Sequence, residues 1–133
     1  MKIIKKLLIA LILIATMVTV SGCAIFDTGM SEKDMLKIVR SEEIQKQIEE
    51  QIKWEDSKAL TEEGVIKSYR IDENSVKWNP MKAIMLDIII NDDREMEMGI
   101  IISGDNDGKP QISGSSRSLK LREELEKKYG KRR

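Results

Sequence analysis

The sequence predicts an α+β domain, with N-terminal helices and a C-terminal helix packed on a roughly four-stranded antiparallel sheet. Three observations carry this. Ile44, Ile48 and Ile52 recur at four-residue spacing, the period of one helix face. Further on, Ile84, Leu86, Ile88 and Ile90, then Met96, Met98, Ile100 and Ile102, alternate with other residues, the period of a strand. Helical spacing returns only at the end, with Leu121 and Leu125. Helices, then strands, then a helix, without regular βα alternation, place helices on one antiparallel sheet.

The first helical stretch begins at Ser31, a good N-cap followed by acidic Glu32 and Asp34, which suit the positive end of the helix dipole. Met35, Ile38 and Val39 mark one face, yet Ile44, Ile48 and Ile52 are out of phase with them by about half a turn, at about 100° per residue. One straight helix would bury only one stripe. A break near Ser41, acting as a second N-cap, resolves the conflict and predicts two short helices or one bent one. Residues 54–64 form a loop, with a helical turn around 56–60, before Gly64 opens the strands.

Residues 65–71 alternate, with Val65, Tyr69 and Ile71 on one face; residues 72–75 are turn-like, residues 76–78 resume an extended segment, and Asn79-Pro80 breaks it. Residues 82–90 and 95–103 form a hairpin across the turn 91–94. Gly104 to Lys109 is the next turn, and residues 110–116 make a small-residue strand suited to an edge. Ser118 caps the last helix, from Leu119 to about Tyr129.

The chain has 133 residues and carries 23 basic and 23 acidic side chains. The balance shifts once the first 22 residues are set apart, because Lys2, Lys5 and Lys6 precede fourteen nearly unbroken apolar residues, 7–20. A positive start and an apolar run of this length are the pattern of an export signal. As a helix the run spans about 21 Å, short for a hydrocarbon core of about 30 Å. The remaining chain holds 20 basic against 23 acidic side chains, which does not read as a nucleic-acid binder. There is no histidine and one cysteine, so disulfides within the chain and metal sites built from several thiolates or imidazoles are excluded.

The apolar run ends in Val20-Ser21-Gly22-Cys23, which resembles the lipobox of bacterial lipoprotein precursors. The resemblance implies cleavage between Gly22 and Cys23 and a diacylglycerol on the Cys23 thiol. Two acyl chains hold a protein stably on a membrane where one does so only marginally. The expected organisation is a lipoprotein signal peptide over 1–22, a lipidated tether over 23–30 and a single α+β domain over 31–133, anchored at the extracellular face of the cell membrane.

Few residues of that domain suggest chemistry. Asp105-Asn106-Asp107-Gly108 can be laid on a calcium loop, but the twelfth ligand position then falls on Gly114. The same residues suit a tight turn, which is the reading preferred. Asp87 stands in an apolar strand yet alternates onto the face opposite Leu86 and Ile88, as an acid on a solvated face would. Residues 113–116 offer hydroxyls with no histidine to activate one, and a serine–lysine pair stays open. The basic tail, 127–133, suits a helix C-terminus or an anionic surface. No phosphate loop or dinucleotide motif occurs, and no cofactor is expected.

One feature is less bland. The central hairpin is apolar on its second face too, through Met85, Ile89 and Ile101. Either helices or loops wrap part of that face, the reading preferred because two helical elements are available, or it is a surface for a protein or peptide partner.

Residues 35–41 (Met-Leu-Lys-Ile-Val-Arg-Ser), the stretches 59–61 and 64–72, and Asn79-Pro80-Met81 resemble a family of small lipoproteins of Gram-positive bacteria, of the Listeria and Streptococcus type. It is catalogued only as a domain of unknown function. The resemblance spans most of residues 31–103 and implies a Gram-positive envelope, with no activity or site residues to transfer. The expected function is a non-enzymatic binding module of the cell envelope. An envelope hydrolase using carboxylates, or an immunity or exclusion lipoprotein, is the alternative.

Overall fold

The computed structural model describes residues 29–131. The expected signal peptide, the expected cleavage and lipidation site at Gly22 and Cys23, most of the expected tether and the last two residues lie outside the described residues. The elements are α1 (Glu32–Val39), α2 (Glu42–Glu55), β1 (Tyr69–Asn79), β2 (Ala83–Ile90), β3 (Asp93–Gly104), β4 (Pro110–Arg117) and α3 (Leu119–Tyr129). The sheet is an antiparallel meander in the order β1-β2-β3-β4. The α+β expectation holds, with two helices before the sheet and one after it.

The break between the first two helices falls where the out-of-phase stripes require it. Ser31 Oγ accepts the Asp34 N–H at 3.2 Å to start α1, and Ser41 Oγ accepts the Ile44 N–H at 3.3 Å to start α2. The buried Ser41 hydroxyl also donates to the Ile38 carbonyl at 2.7 Å. One side chain thus closes α1 and opens α2. The change of direction lets Met35, Ile38 and Val39 share a core with Ile44, Ile48 and Ile52.

That core lies on one face of the sheet. Ile84, Leu86, Ile88 and Ile90 of β2 and Met96, Met98, Ile100 and Ile102 of β3 are all buried in the same cluster as the helices, including Leu121 and Leu125 of α3. Residue alternation therefore separates this packed face from the one carrying Met85, Asp87 and Ile101. Among the described residues, no helix covers the second face. All three helices go to the first, so the preferred expectation of helical cover is corrected.

Two strand boundaries also differ from expectation. Residues 65–68 are not part of the sheet; the Asn91 side chain holds them instead, accepting the N–H groups of Lys67 (2.8 Å) and Ser68 (3.1 Å) and donating to the Val65 carbonyl (2.8 Å). Residues 72–75 do not turn the chain back. β1 runs straight through them as a bulge, its register against β2 shifting between Asp72 and Lys77. Locally the segment keeps turn chemistry, with Asp72 Oδ1 accepting the Asn74 N–H at 3.2 Å. Arg40, at the end of α1, grips Glu73 with two hydrogen bonds of 2.5 and 2.8 Å and pins the bulge against the helices.

The β2–β3 hairpin is tighter than the 91–94 turn expected. Its loop is Asn91-Asp92, both at φ 54°, the two-residue left-handed turn that matches strand twist. Asn and Asp tolerate this region, and glycine tolerates it better. Asp92→Gly should raise the thermal midpoint by about 2–5 °C, after the loss of an exposed pair with Arg70 that is worth little. A lower midpoint in a calorimetric scan would mean that the Arg70 contact outweighs the backbone gain.

The free edge of β4 is partly closed. Gln47 of α2 accepts the Ile112 N–H at 2.8 Å and donates to the Pro110 carbonyl at 3.4 Å, taking up outward backbone groups that an exposed edge would offer to another chain.

Candidate functional site on the open sheet face

The register sets the open face out in rows across the strands. Arg70, Ile89 and Glu97 form one; Asp72, Asp87, Gly99 and Ser116 form the next; Lys77, Met85, Ile101 and Gly114 form the third. The two glycines matter here. A Cβ on Gly99 would come within 2.5 Å of Ser116 Oγ and 3.6 Å of Asp87 Oδ1, and one on Gly114 would lie 3.5 Å from the tip of Ile101. Gly99 lets Ser116 close in over it and lines a depression of about 310 Å³ on this face. Its floor and walls come from Asp87, Gly99, Ile101 and Ser116, with Met85 and Lys77 at the side of β1.

The bulge in β1 completes one wall. It carries Ser75 inward, where Ser75 Oγ accepts the Asp87 N–H at 2.7 Å and donates to the Asp72 carbonyl at 2.6 Å. This fixes the β2 backbone beneath the Asp87 side chain. Asp87 and Asp72 stand directly opposite each other on neighbouring strands, an arrangement of like charges that destabilises a sheet. Asp72 is partly compensated by Arg94, 3.9 Å away. A cationic group entering beside Asp87 would relieve the remaining repulsion.

Of the three apolar residues expected on this surface, the structure brings two to the depression. Met85 is 42 % exposed and Ile101 is partly exposed, side by side in one row. Ile89 is a correction: it is fully buried. Its row neighbours are Arg70 and Glu97, and the Arg94–Asp72 contact joins β3 to β1 across the strand that bears it. Long charged chains lay their methylenes over an apolar neighbour in this way. The candidate surface is therefore Met85 and Ile101 around Asp87, without Ile89. Asp87 sits on the side that alternation assigned to it, but in a depression, half-buried.

Sequence reasoning did not single out Ser75 or Gly99, and took Ser116 only as one of the hydroxyls of residues 113–116. Gly99, a small residue amid large apolar ones on a central strand, was the available signal, since such a glycine marks a close approach or a gap.

The other constellations resolve into structure. Asp105 Oδ1 accepts the N–H groups of Asp107 (2.8 Å) and Lys109 (2.9 Å), and Gly108 adopts φ 78°. The acidic stretch is thus the β3–β4 turn, as preferred. Among the described residues, no three acidic or cysteine side chains are placed to hold a metal ion. Ser116 and Lys77 line the same depression but stand three strand spacings apart, about 14 Å at roughly 4.8 Å each. That is too far for a proton transfer between them. Ser115 instead accepts from Gln51 at 3.1 Å. Asp87 is half-buried on a sheet face open to water, opposite Asp72, and is placed to orient a ligand. General acid–base work needs a partnered and desolvated group.

A second carboxylate, unremarked in the sequence, is the most enclosed charge described. Asp56, just after α2, is fully buried. Its oxygens accept the N–H of Lys58 at 3.1 Å, the N–H of Ile66 at 2.8 Å and the Tyr129 hydroxyl. Burial pushes its carboxyl up, but the Tyr129 hydroxyl and the backbone N–H groups of Ile66, Lys58 and Val65 outweigh this and hold it below the usual range. Every oxygen is spoken for by the fold, so Asp56 is a structural tie.

No helix among the described residues is long and apolar enough to cross a membrane. No curated protein and no solved structure matches the chain. The sequence model of the family described as protein of unknown function (DUF1310) matches residues 6–124, most of the chain, and the chain belongs to that family.

Proposed function

We propose that the chain is a membrane-anchored surface lipoprotein, acylated on Cys23, whose domain is a non-enzymatic binding module of the cell envelope. The observation that carries the binding role is the uncovered sheet face, where exposed Met85 and partly exposed Ile101 stand beside Asp87 in a depression lined by Gly99 and Ser116. The partner best suited to it is a protein or peptide segment offering an apolar side chain next to a cationic one. The anchoring role rests on the basic start, the apolar run and Val20-Ser21-Gly22-Cys23. The family match begins at residue 6, so part of the apolar run belongs to what the family shares, which supports the leader as a family feature. The place of action is then the extracellular face of the cell membrane.

Two variants expressed in the native host test the two halves separately. With labelled fatty acid, the wild type should carry label and sediment with membranes, whereas Cys23→Ser should be unlabelled and lost from them. Ile101→Asp should stay acylated and in the membrane but lose the partner cross-linked at this face in the wild type. An unlabelled wild type removes the anchor, and undiminished cross-linking in Ile101→Asp removes the binding face.

A further inference from the structure

The geometry points to the β1–β2 turn as a phospholipid contact that stands the sheet upright on the bilayer. The inference rests on acylation at Cys23. The described chain starts at Gly29, packed against the indole of Trp78 near the end of β1, where an added Cβ would lie 3.7 Å from Nε1. Only six residue steps separate Cys23 from this point, a reach of about 20 Å fully extended, at roughly 3.4 Å each. The β1 strand runs away from Trp78 for about 30 Å, at roughly 3.3 Å per residue. The opposite end of the sheet therefore cannot face the membrane with the near end uppermost, because the tether is too short.

The near end carries a side chain suited to lipid. The turn is Pro80-Met81-Lys82, with Met81 N–H bonded to Asn79 Oδ1 at 2.9 Å and the Lys82 N–H to the Asn79 carbonyl at 3.0 Å. At its tip Met81 is 85 % exposed, the most exposed of the large apolar side chains described. Trp54 and Leu119, the next most exposed, belong to the other end, beside the Glu55–Arg117 pair. Lys82 follows Met81 in the turn and is exposed. An unbranched apolar tip beside a lysine matches the headgroup boundary, where the thioether enters the acyl edge and an ammonium group meets phosphates. The β3–β4 turn at the same end presents exposed Asn106 and Asp107, so the contact is a single corner.

Held this way, the depression at Met85 and Asp87 opens sideways, about 10–15 Å above the tip at roughly 3.3 Å per residue. Its partner must then present itself close to the membrane surface.

The test uses acylated protein from host membranes, reconstituted in phospholipid vesicles. Because Cys23 is the chain's one cysteine and its thiol is blocked by lipid, Met81→Cys and Leu119→Cys each offer one reactive thiol for an environment-sensitive fluorophore. The label at position 81 should shift to the blue and be quenched by lipid-borne quenchers. The label at position 119 should be quenched by aqueous iodide. Vesicle-bound protein whose two labels are equally aqueous overturns the contact and leaves the anchor standing. Unacylated protein that fails to float with the vesicles overturns the anchor, and the contact with it.

Discussion

Replacing Asp56 with alanine should destabilise the domain by about 3 kcal/mol or more, seen as a lower denaturant midpoint with an unchanged m-value. Three donors converge on this carboxylate from distant parts of the chain: Lys58 in the loop, Ile66 at the approach to the sheet and Tyr129 in the last turn of α3. Hydrogen bonds to a charged acceptor contribute about 1.5–3 kcal/mol each, and a buried donor left without a partner costs its full desolvation. The Ile66 N–H is such a donor, because Ile66 is fully buried. Tyr129→Phe removes one donor and leaves the others, so it should cost distinctly less. If Asp56→Ala matched Tyr129→Phe, the two backbone bonds would contribute nothing and the tie would be only the phenol.

The same site sets the acid limit of stability. The native Asp56 carboxyl titrates below the usual value, whereas in the unfolded chain it returns to about 3.9. Below that pH the unfolded state takes up a proton that the native state refuses. The contribution is therefore complete above about pH 4 and is lost as the pH falls through the native value. Asp56→Asn should flatten this acid limb while leaving the slope near neutrality unchanged. An identical acid limb in the variant would place the titration on other carboxylates.

How far the chain could be read in advance follows from the range of each interaction. Ser31, Ser41 and Ser118 cap helices through bonds three residues long, so local sequence suffices for them. The stripes of β2 and β3 are equally local. The 72–75 segment shows the limit: its Asx bond is what a turn would make, and the Arg40–Glu73 contact, 33 positions apart, belongs to the bulge instead. Asp56 was invisible for the same reason, its phenol partner lying 73 positions away. The choice of covered face was closer to legible. Both sides of β2 are apolar, but only the second face carries Asp87, Glu97 and Gly99, and a packed core tolerates two unpaired acids poorly. Apolar count alone was the wrong measure there; acid content was the better one.

Ile100 and Ile101 are neighbours in β3 whose substitution by aspartate should give opposite outcomes. Ile100 is 1 % exposed and packs among the helices, so Ile100→Asp buries a carboxylate without a partner. That costs several kcal/mol, a large part of the roughly 5–15 kcal/mol that a small domain has. The variant should be unfolded or molten by near-ultraviolet circular dichroism. Ile101 points to the open row with Met85 and Gly114, where a carboxylate stays hydrated, with Lys77 beyond Met85 in the same row. Its loss should cost no more than about 2 kcal/mol, mostly strand preference and partial burial. Unfolding of both variants would mean that the second face is packed after all. A folded Ile101→Asp matters beyond the fold, because a missing partner can then be ascribed to the surface and not to a collapsed domain. The helices, by all going to one side, are what leave that surface available.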